Sequence, residues 1–270
     1  MILLEMLSYP FLVRAFVVGV LVSLCAALLG ASLVLKRFSM IGDGLSHVGF
    51  GALAIASALG VAPLAVAVPV VVVAAVLLLR VSQSGKVRGD AAVALISSGA
   101  LAVGVLVISL TSGVNTNVSN YMFGSILTIS SSDAVLSVIL CAAVLVVFTL
   151  FYPRIFAVTF DETFARATGT KAEGYNMLLA ILTAITVVLG MRMMGALLIS
   201  SLIIFPALSA MRVFRSFRSV TICSAVLSVV CFTLGMTLSY ALETPSGASV
   251  VAVNIIAFAL FALAGRLLRR

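Results

Sequence analysis

Residues 16–35 read FVVGVLVSLCAALLGASLVL, twenty consecutive positions without a charge, followed at once by Lys36 and Arg37. At about 1.5 Å of rise per residue, such a run crosses the roughly 30 Å hydrocarbon core of a bilayer as a helix. Similar runs recur to the end of the chain with little soluble sequence between them. Of the 270 residues, 63% are hydrophobic and only 9% charged. A water-soluble domain carries about a quarter charged residues, so a soluble surface is missing here. The apolar runs are continuous rather than alternating at every second residue. Lipid tolerates no unpaired backbone polar groups, so these runs require helices and exclude a barrel.

The net charge of +8 could suggest a nucleic-acid partner, but its placement argues against one. The basic residues fall into separated clusters: Lys36 and Arg37; Arg80, Lys86 and Arg88; Arg154, Arg166 and Lys171; Arg212, Arg215 and Arg218; Arg266, Arg269 and Arg270. Enough apolar chain for two crossings lies between successive clusters, which is the positive-inside pattern with every cluster cytoplasmic. Glu5, Asp133 and Glu243 then fall on the outer side. Met1–Pro10 has no basic cluster of the kind that opens a signal peptide, so the first run is expected to be a retained span.

The expected fold is an all-α polytopic membrane protein with about eight or nine transmembrane helices, the N-terminus outside. The spans are expected at about 16–35, 45–59, 64–79, 91–110, 134–151, 177–195, 196–211, 220–242 and 249–263. The sixth and seventh have almost no loop between them, so one long kinked element is the alternative there. Arg14 and Arg192 depart from the charge pattern and are expected to snorkel from helix ends. Within the stretch 111–133, Tyr121–Leu127 is too short to span and reads as a re-entrant or interfacial piece, while Asn117-Val-Ser119 matches a glycosylation sequon of little weight. Within Arg154–Asn176, Asp161 is a good N-cap, Glu162 suits the positive first turn and Gly169 a stop, giving a helix of about two turns with Phe160 and Phe164 available for contact.

Ionisable residues inside a membrane are costly and mark function. Asp43 and His47, the latter the chain's single histidine, stand in Met40-Ile-Gly-Asp-Gly-Leu-Ser-His-Val-Gly-Phe50. Their i, i+4 spacing puts both on one helix face. A carboxylate and an imidazole suit first-row divalent metals, a second copy of the chain or other groups completing the site. The same pair could serve helix packing, which the surrounding glycines favour, or a proton relay. Cys25, Cys141, Cys223 and Cys231 show no CxxC spacing and read as small apolar residues. The chain has neither a Walker A motif nor a defensible nucleophile–base set, so it is not expected to be an enzyme, and ATP hydrolysis would belong to another chain.

Four segments together carry a resemblance: Leu33-Val-Leu-Lys-Arg-Phe-Ser-Met-Ile-Gly-Asp-Gly-Leu-Ser-His47, Phe123-Gly-Ser-Ile-Leu127, Phe160-Asp-Glu-Thr-Phe-Ala-Arg-Ala-Thr-Gly169 and Met194-Gly-Ala-Leu-Leu-Ile-Ser-Ser-Leu-Ile-Ile-Phe-Pro-Ala207. Over nearly its whole length the chain resembles the permease subunits of bacterial zinc, manganese and iron ABC importers. The resemblance implies one transmembrane permease domain over residues 1–270, built like the vitamin B12 permease (type II) class and lying in the bacterial inner membrane. It implies a second copy of the same permease, cytoplasmic ABC ATPase subunits and an extracytoplasmic metal-binding protein as partners, with membrane lipid around them. No cofactor is bound permanently; the metal is cargo. Asp43 and His47 match the family's metal-coordinating pair. Asp161, Glu162, Phe164, Ala165, Arg166 and Gly169 lie in the segment that matches its ATPase-coupling region. Glu243 is a candidate for docking on the outer face. Many relatives have Ala where this chain has Gly44, which loosens the expected local helix geometry. Rival readings are ion- or proton-coupled secondary transport, a membrane enzyme and an assembly subunit without a pore.

Overall fold

The computed structural model describes residues 8–83, 89–111 and 130–268. All regular structure among them is helical: α1 (Pro10–Leu35), α2 (Ile41–Ala58), α3 (Pro63–Gln83), α4 (Gly89–Leu110), α5 (Ser131–Leu150), α6 (Tyr152–Phe160), α7 (Glu162–Ala167), α8 (Ala172–Met194), α9 (Ala196–Val213), α10 (Phe217–Leu242) and α11 (Ser246–Leu268). The nine expected spans each correspond to one long helix. Several start three to six residues earlier than expected, because helix ends keep their hydrogen bonds past the apolar run that marks them in sequence. Eight of the nine are long and apolar enough to cross a membrane. The ninth, α2, is more polar and packs against α3, α4, α8 and α9. Tyr121–Leu127 and the sequon lie outside the described residues.

Local chemistry sets the ends. Helix α1 closes when the Phe38 N–H bonds to the Leu33 carbonyl and the Arg37 N–H to that of Val34, with Arg37 in the left-handed region at φ 60°. Helix α2 closes the same way through Val61 to Ala56 and Gly60 to Ser57, this time with glycine at the left-handed position. Pro63 then opens α3. The Ser130 hydroxyl accepts from the Asp133 N–H to cap α5, and that of Ser216 accepts from the Ser219 N–H to cap α10. Between α8 and α9 the chain breaks at a single residue, Gly195, at φ 88° and ψ 160°, a conformation open to glycine alone. The junction is therefore a sharp corner between two helices, not one kinked element.

Helices α1 and α8 form the centre, each with 67% of its most apolar window buried, while α4 has only 11% buried and forms part of the rim. The rim exposes large apolar side chains such as Leu95, Leu106 and Ile256, as a lipid-facing surface should. Lipid removes most of the hydrophobic drive between helices, so association rests on close packing and interhelical hydrogen bonds. Both are present. The Ser224 and Ser228 hydroxyls of α10 donate to the Ala27 and Ser23 carbonyls of α1. At Gly30 the backbones of α1 and α9 approach so closely that a Cβ would lie 2.0 Å from the Ile203 carbonyl oxygen. The Gly30→Val substitution is accordingly expected to destabilise the bundle by at least about 2 kcal/mol, the cost of overpacking against an unyielding partner. Gly99→Ala, where a Cβ meets open space, is expected to leave stability unchanged or slightly raised. Thermal unfolding of the detergent-solubilised protein distinguishes the two.

Candidate functional site

The segment joining α1 to α2 is short and hydrogen-bonded. After the α1 terminus, the Phe38 carbonyl accepts from the Ile41 N–H and the Met40 carbonyl from the Gly44 N–H. Asp43 therefore stands in the first turn of α2, where the helix dipole favours a carboxylate. One turn later, His47 Nε2 lies 3.8 Å from Asp43 Oδ2. Two ligands at about 2.1 Å from one tetrahedral ion stand about 3.4 Å apart, so a small side-chain adjustment lets this pair grip one metal. The two side chains are 40% and 24% exposed, which leaves the pair open on one side of the chain. Among the described residues no third histidine, cysteine or carboxylate joins them.

Ser200, in the first turn and a half of α9, adds a group that the sequence reading missed. Its hydroxyl, which donates to the Ala196 carbonyl of its own helix at 3.2 Å, shares that proton with Asp43 Oδ1 at 3.3 Å, across 157 residues of sequence. The available signal was Ser200-Ser201 in an apolar helix immediately after a glycine break. Gly44 also has a structural reason: a Cβ there would lie 2.6 Å from Val93 Cγ1 of α4, so the α4 side chain occupies the space that Ala would take.

A second polar cluster lies at the end of the bundle where α1 terminates. Helix α7 has six residues, close to the two turns expected, and ends just ahead of Gly169 at φ 83°. It is preceded by α6, a helix for which the sequence offers neither a span nor a clear cap. Asp161 caps α7 through a hydrogen bond from the Phe164 N–H at 2.9 Å; that bond and the Thr163 hydroxyl hold its carboxyl below the usual carboxylate range. Ala165 is buried, while Phe160 and Phe164 are 69% and 66% exposed. Glu162 Oε1 accepts from Arg166 at 2.7 Å, and Glu162 Oε2 accepts from Lys36 at 3.2 Å and from Asn176 at 3.0 Å. Burial alone would push Glu162 up, but these hydrogen bonds and the Lys36 charge outweigh it and hold the carboxyl below its ordinary range. Its contribution is thus complete above the ordinary glutamate range and is lost as pH falls through the depressed value.

At the opposite end, Arg192 donates to Asp133 Oδ2 at 2.7 Å, both side chains about one-fifth exposed. Arg14 donates to the Ser131 hydroxyl. These two arginines therefore have internal partners in addition to any headgroup contact expected from snorkelling. Glu243 is exposed at the same end, a left-handed residue closing α10. The structure brings Asp43, His47 and Ser200 together, gathers Asp161–Gly169 at the Lys36 end, and leaves Glu243 apart from both.

A bundle of apolar helices carrying a carboxylate–imidazole pair on α2 is the architecture of a multi-pass membrane protein. Residues 8–265 match the ABC 3 transport family, and the chain belongs to it. It is 26% identical to the manganese import system permease protein ScaB of Streptococcus gordonii, over 93% of this chain and 90% of that one. It is 29% identical to the high-affinity zinc uptake system membrane protein ZnuB of Haemophilus influenzae, over 93% and 97%. Among solved structures it is similar to PsaBC from Streptococcus pneumoniae, seen in complex with Fab, at a TM-score of 0.85 and 25% identity over 96% of this chain and 95% of that one. The chain is thus a multi-pass ABC permease subunit, a transporter component.

The Ser200→Ala substitution removes a donor to Asp43 without adding bulk. It is expected to weaken divalent-metal binding at the Asp43–His47 pair about five- to tenfold, within the net worth of one ordinary hydrogen bond. Equilibrium binding of manganese and zinc to the purified assembly measures it.

Proposed function

We propose that this chain is the membrane-spanning pore subunit of an ATP-driven importer of divalent transition-metal ions, manganese or zinc, in a bacterial cell membrane. The observation that carries this reading is the Asp43–His47 pair, 3.8 Å apart and open on one side of α2. The manganese and zinc permeases among its relatives support the class of cargo. Two copies of a single permease domain face each other across the path, with their N-termini outside. Each contributes Asp43 and His47, so four ligands and two negative charges surround one divalent cation. The balance lets the ion enter the membrane without an unpaired charge.

An extracytoplasmic metal-binding protein delivers the ion to the outer face, where Glu243 is a docking contact. A cytoplasmic ABC ATPase binds α7, against whose surface Phe160 and Phe164 project. ATP binding displaces α7 and switches the pathway from outward to inward access. The inward state binds the ion more weakly, so that it leaves.

The test is metal uptake by proteoliposomes containing this chain, its ATPase and its binding protein. Wild type is expected to accumulate manganese or zinc only with ATP. Asp43→Ala and His47→Ala are each expected to lose at least about tenfold of that uptake at unchanged complex abundance, as befits a lost metal ligand. Uptake unchanged in His47→Ala would make the pair a packing contact. Loss of complex yield instead of uptake would make the chain an assembly subunit, and uptake driven by an ion gradient without ATP would make it a secondary transporter.

A further inference from the structure

Glu162 of α7 is the meeting point of two arms that lead to the metal pair by different routes. One arm is Lys36, whose ammonium donates to Glu162 at 3.2 Å and to Asn176 Oδ1 at 2.5 Å. Its side chain is only 11% exposed, although it carries a charge. Burial draws that ammonium below its ordinary pKa, opposed by the Glu162 carboxylate, so the charge depends on its partners. From Lys36 the chain runs through the left-handed Arg37 and the hydrogen bonds at Phe38 and Met40 to Asp43. That connector has few free torsions, so a displacement of Lys36 reaches the first turn of α2.

The other arm is Asn176, 7% exposed in the first turns of α8, whose amide donates to the same Glu162 oxygen at 3.0 Å. Helix α8 continues to the Gly195 corner, and α9 then presents Ser200 to Asp43 Oδ1. One carboxylate on a six-residue helix is therefore bonded to both elements whose continuations hold Asp43. Nothing in the stability of α7 itself requires this, since Asp161 caps it and Arg166 pairs with Glu162 on the surface.

We propose that Lys36 and Asn176 are positioning residues that carry the displacement of α7 to Asp43, with Glu162 as their shared anchor. The inference rests on the reading of α7 as the ATPase-facing element. It adds the path by which nucleotide-driven movement changes the metal pair. When α7 is drawn towards the ATPase, Glu162 pulls on Lys36 and Asn176 together. The α1–α2 connector and the α8–α9 corner shift relative to one another, and the Ser200–Asp43 contact changes. With the clasp cut, ATP is hydrolysed without moving the ion.

The experiment compares wild type, Lys36→Met and Asn176→Leu in proteoliposomes with the partner ATPase and binding protein, measuring metal transported and ATP hydrolysed in one sample. Each variant is expected to keep ATP hydrolysis within about twofold while metal transported per ATP falls about tenfold, within the usual range of coupling between sites. Lys36→Arg, which keeps the charge and donors, is expected to recover most of the ratio. A proportional fall of transport and hydrolysis would overturn the inference, as would a ratio within about twofold of wild type. Failure of both variants to assemble would overturn it too, making the clasp a folding element. A wild-type assembly with no metal-stimulated hydrolysis would instead refute the transport reading on which the inference rests.

Discussion

Ile203 is wedged between two glycines, and the placement of Ser200 beside Asp43 depends on it. Its carbonyl faces Gly30 of α1, and its Cδ1 lies where a Cβ of Gly42 in α2 would be only 2.8 Å away. Lipid tails are as apolar as the side chains they replace, so a membrane bundle gains specificity from backbones that can come close rather than from burying grease. The contact sets α9 against α1 and α2 at once. It therefore places Ser200, one turn earlier on α9, beside Asp43, the residue after Gly42. The charged group that the chain must tolerate is located by the least polar contact in its neighbourhood.

Charge is handled by pairing at both ends of the bundle. Lys36, Glu162, Asn176 and Arg166 form one connected cluster, and Arg192 and Asp133 another. A buried charge without a partner costs several kcal/mol in real proteins, and removal of one member of such a pair leaves that cost with the other. Asp43 differs because it receives only a neutral hydroxyl at 3.3 Å and an imidazole at 3.8 Å. Its carboxylate is thus held more loosely by its own chain than the paired carboxylates at either end.

What the sequence revealed follows from which constraints are local. Each apolar run had to be a helix, because hydrocarbon offers the backbone no other partner, and the i, i+4 spacing of Asp43 and His47 placed them on one face before any fold was known. The Asp161 cap and the Gly169 stop were legible for the same reason. Helix α6 was not, since a nine-residue amphipathic segment opening with Tyr152-Pro153 gives neither a span nor a clear cap. Pairings between distant residues left no trace in any window: Arg192 with Asp133, Ser200 with Asp43, and Glu162 with Lys36. Each joins helices that the order of the chain does not make neighbours.

The polarity of α2 bears on how the protein comes to exist. Eight helices are apolar enough to enter a bilayer singly, whereas α2 carries a carboxylate and an imidazole within its first two turns. An aspartate at the centre of a lone helix opposes insertion by about 3 kcal/mol, and one in the first turn, as here, by less. During synthesis α2 leaves the ribosome after α1 and before α3 and α4, the neighbours that enclose it. The hairpin of α2 and α3, turned at Gly60, thus pairs the polar helix with one apolar enough to enter alone. The polar pair on α2 makes this helix the one whose entry into the bilayer leans most on its neighbours.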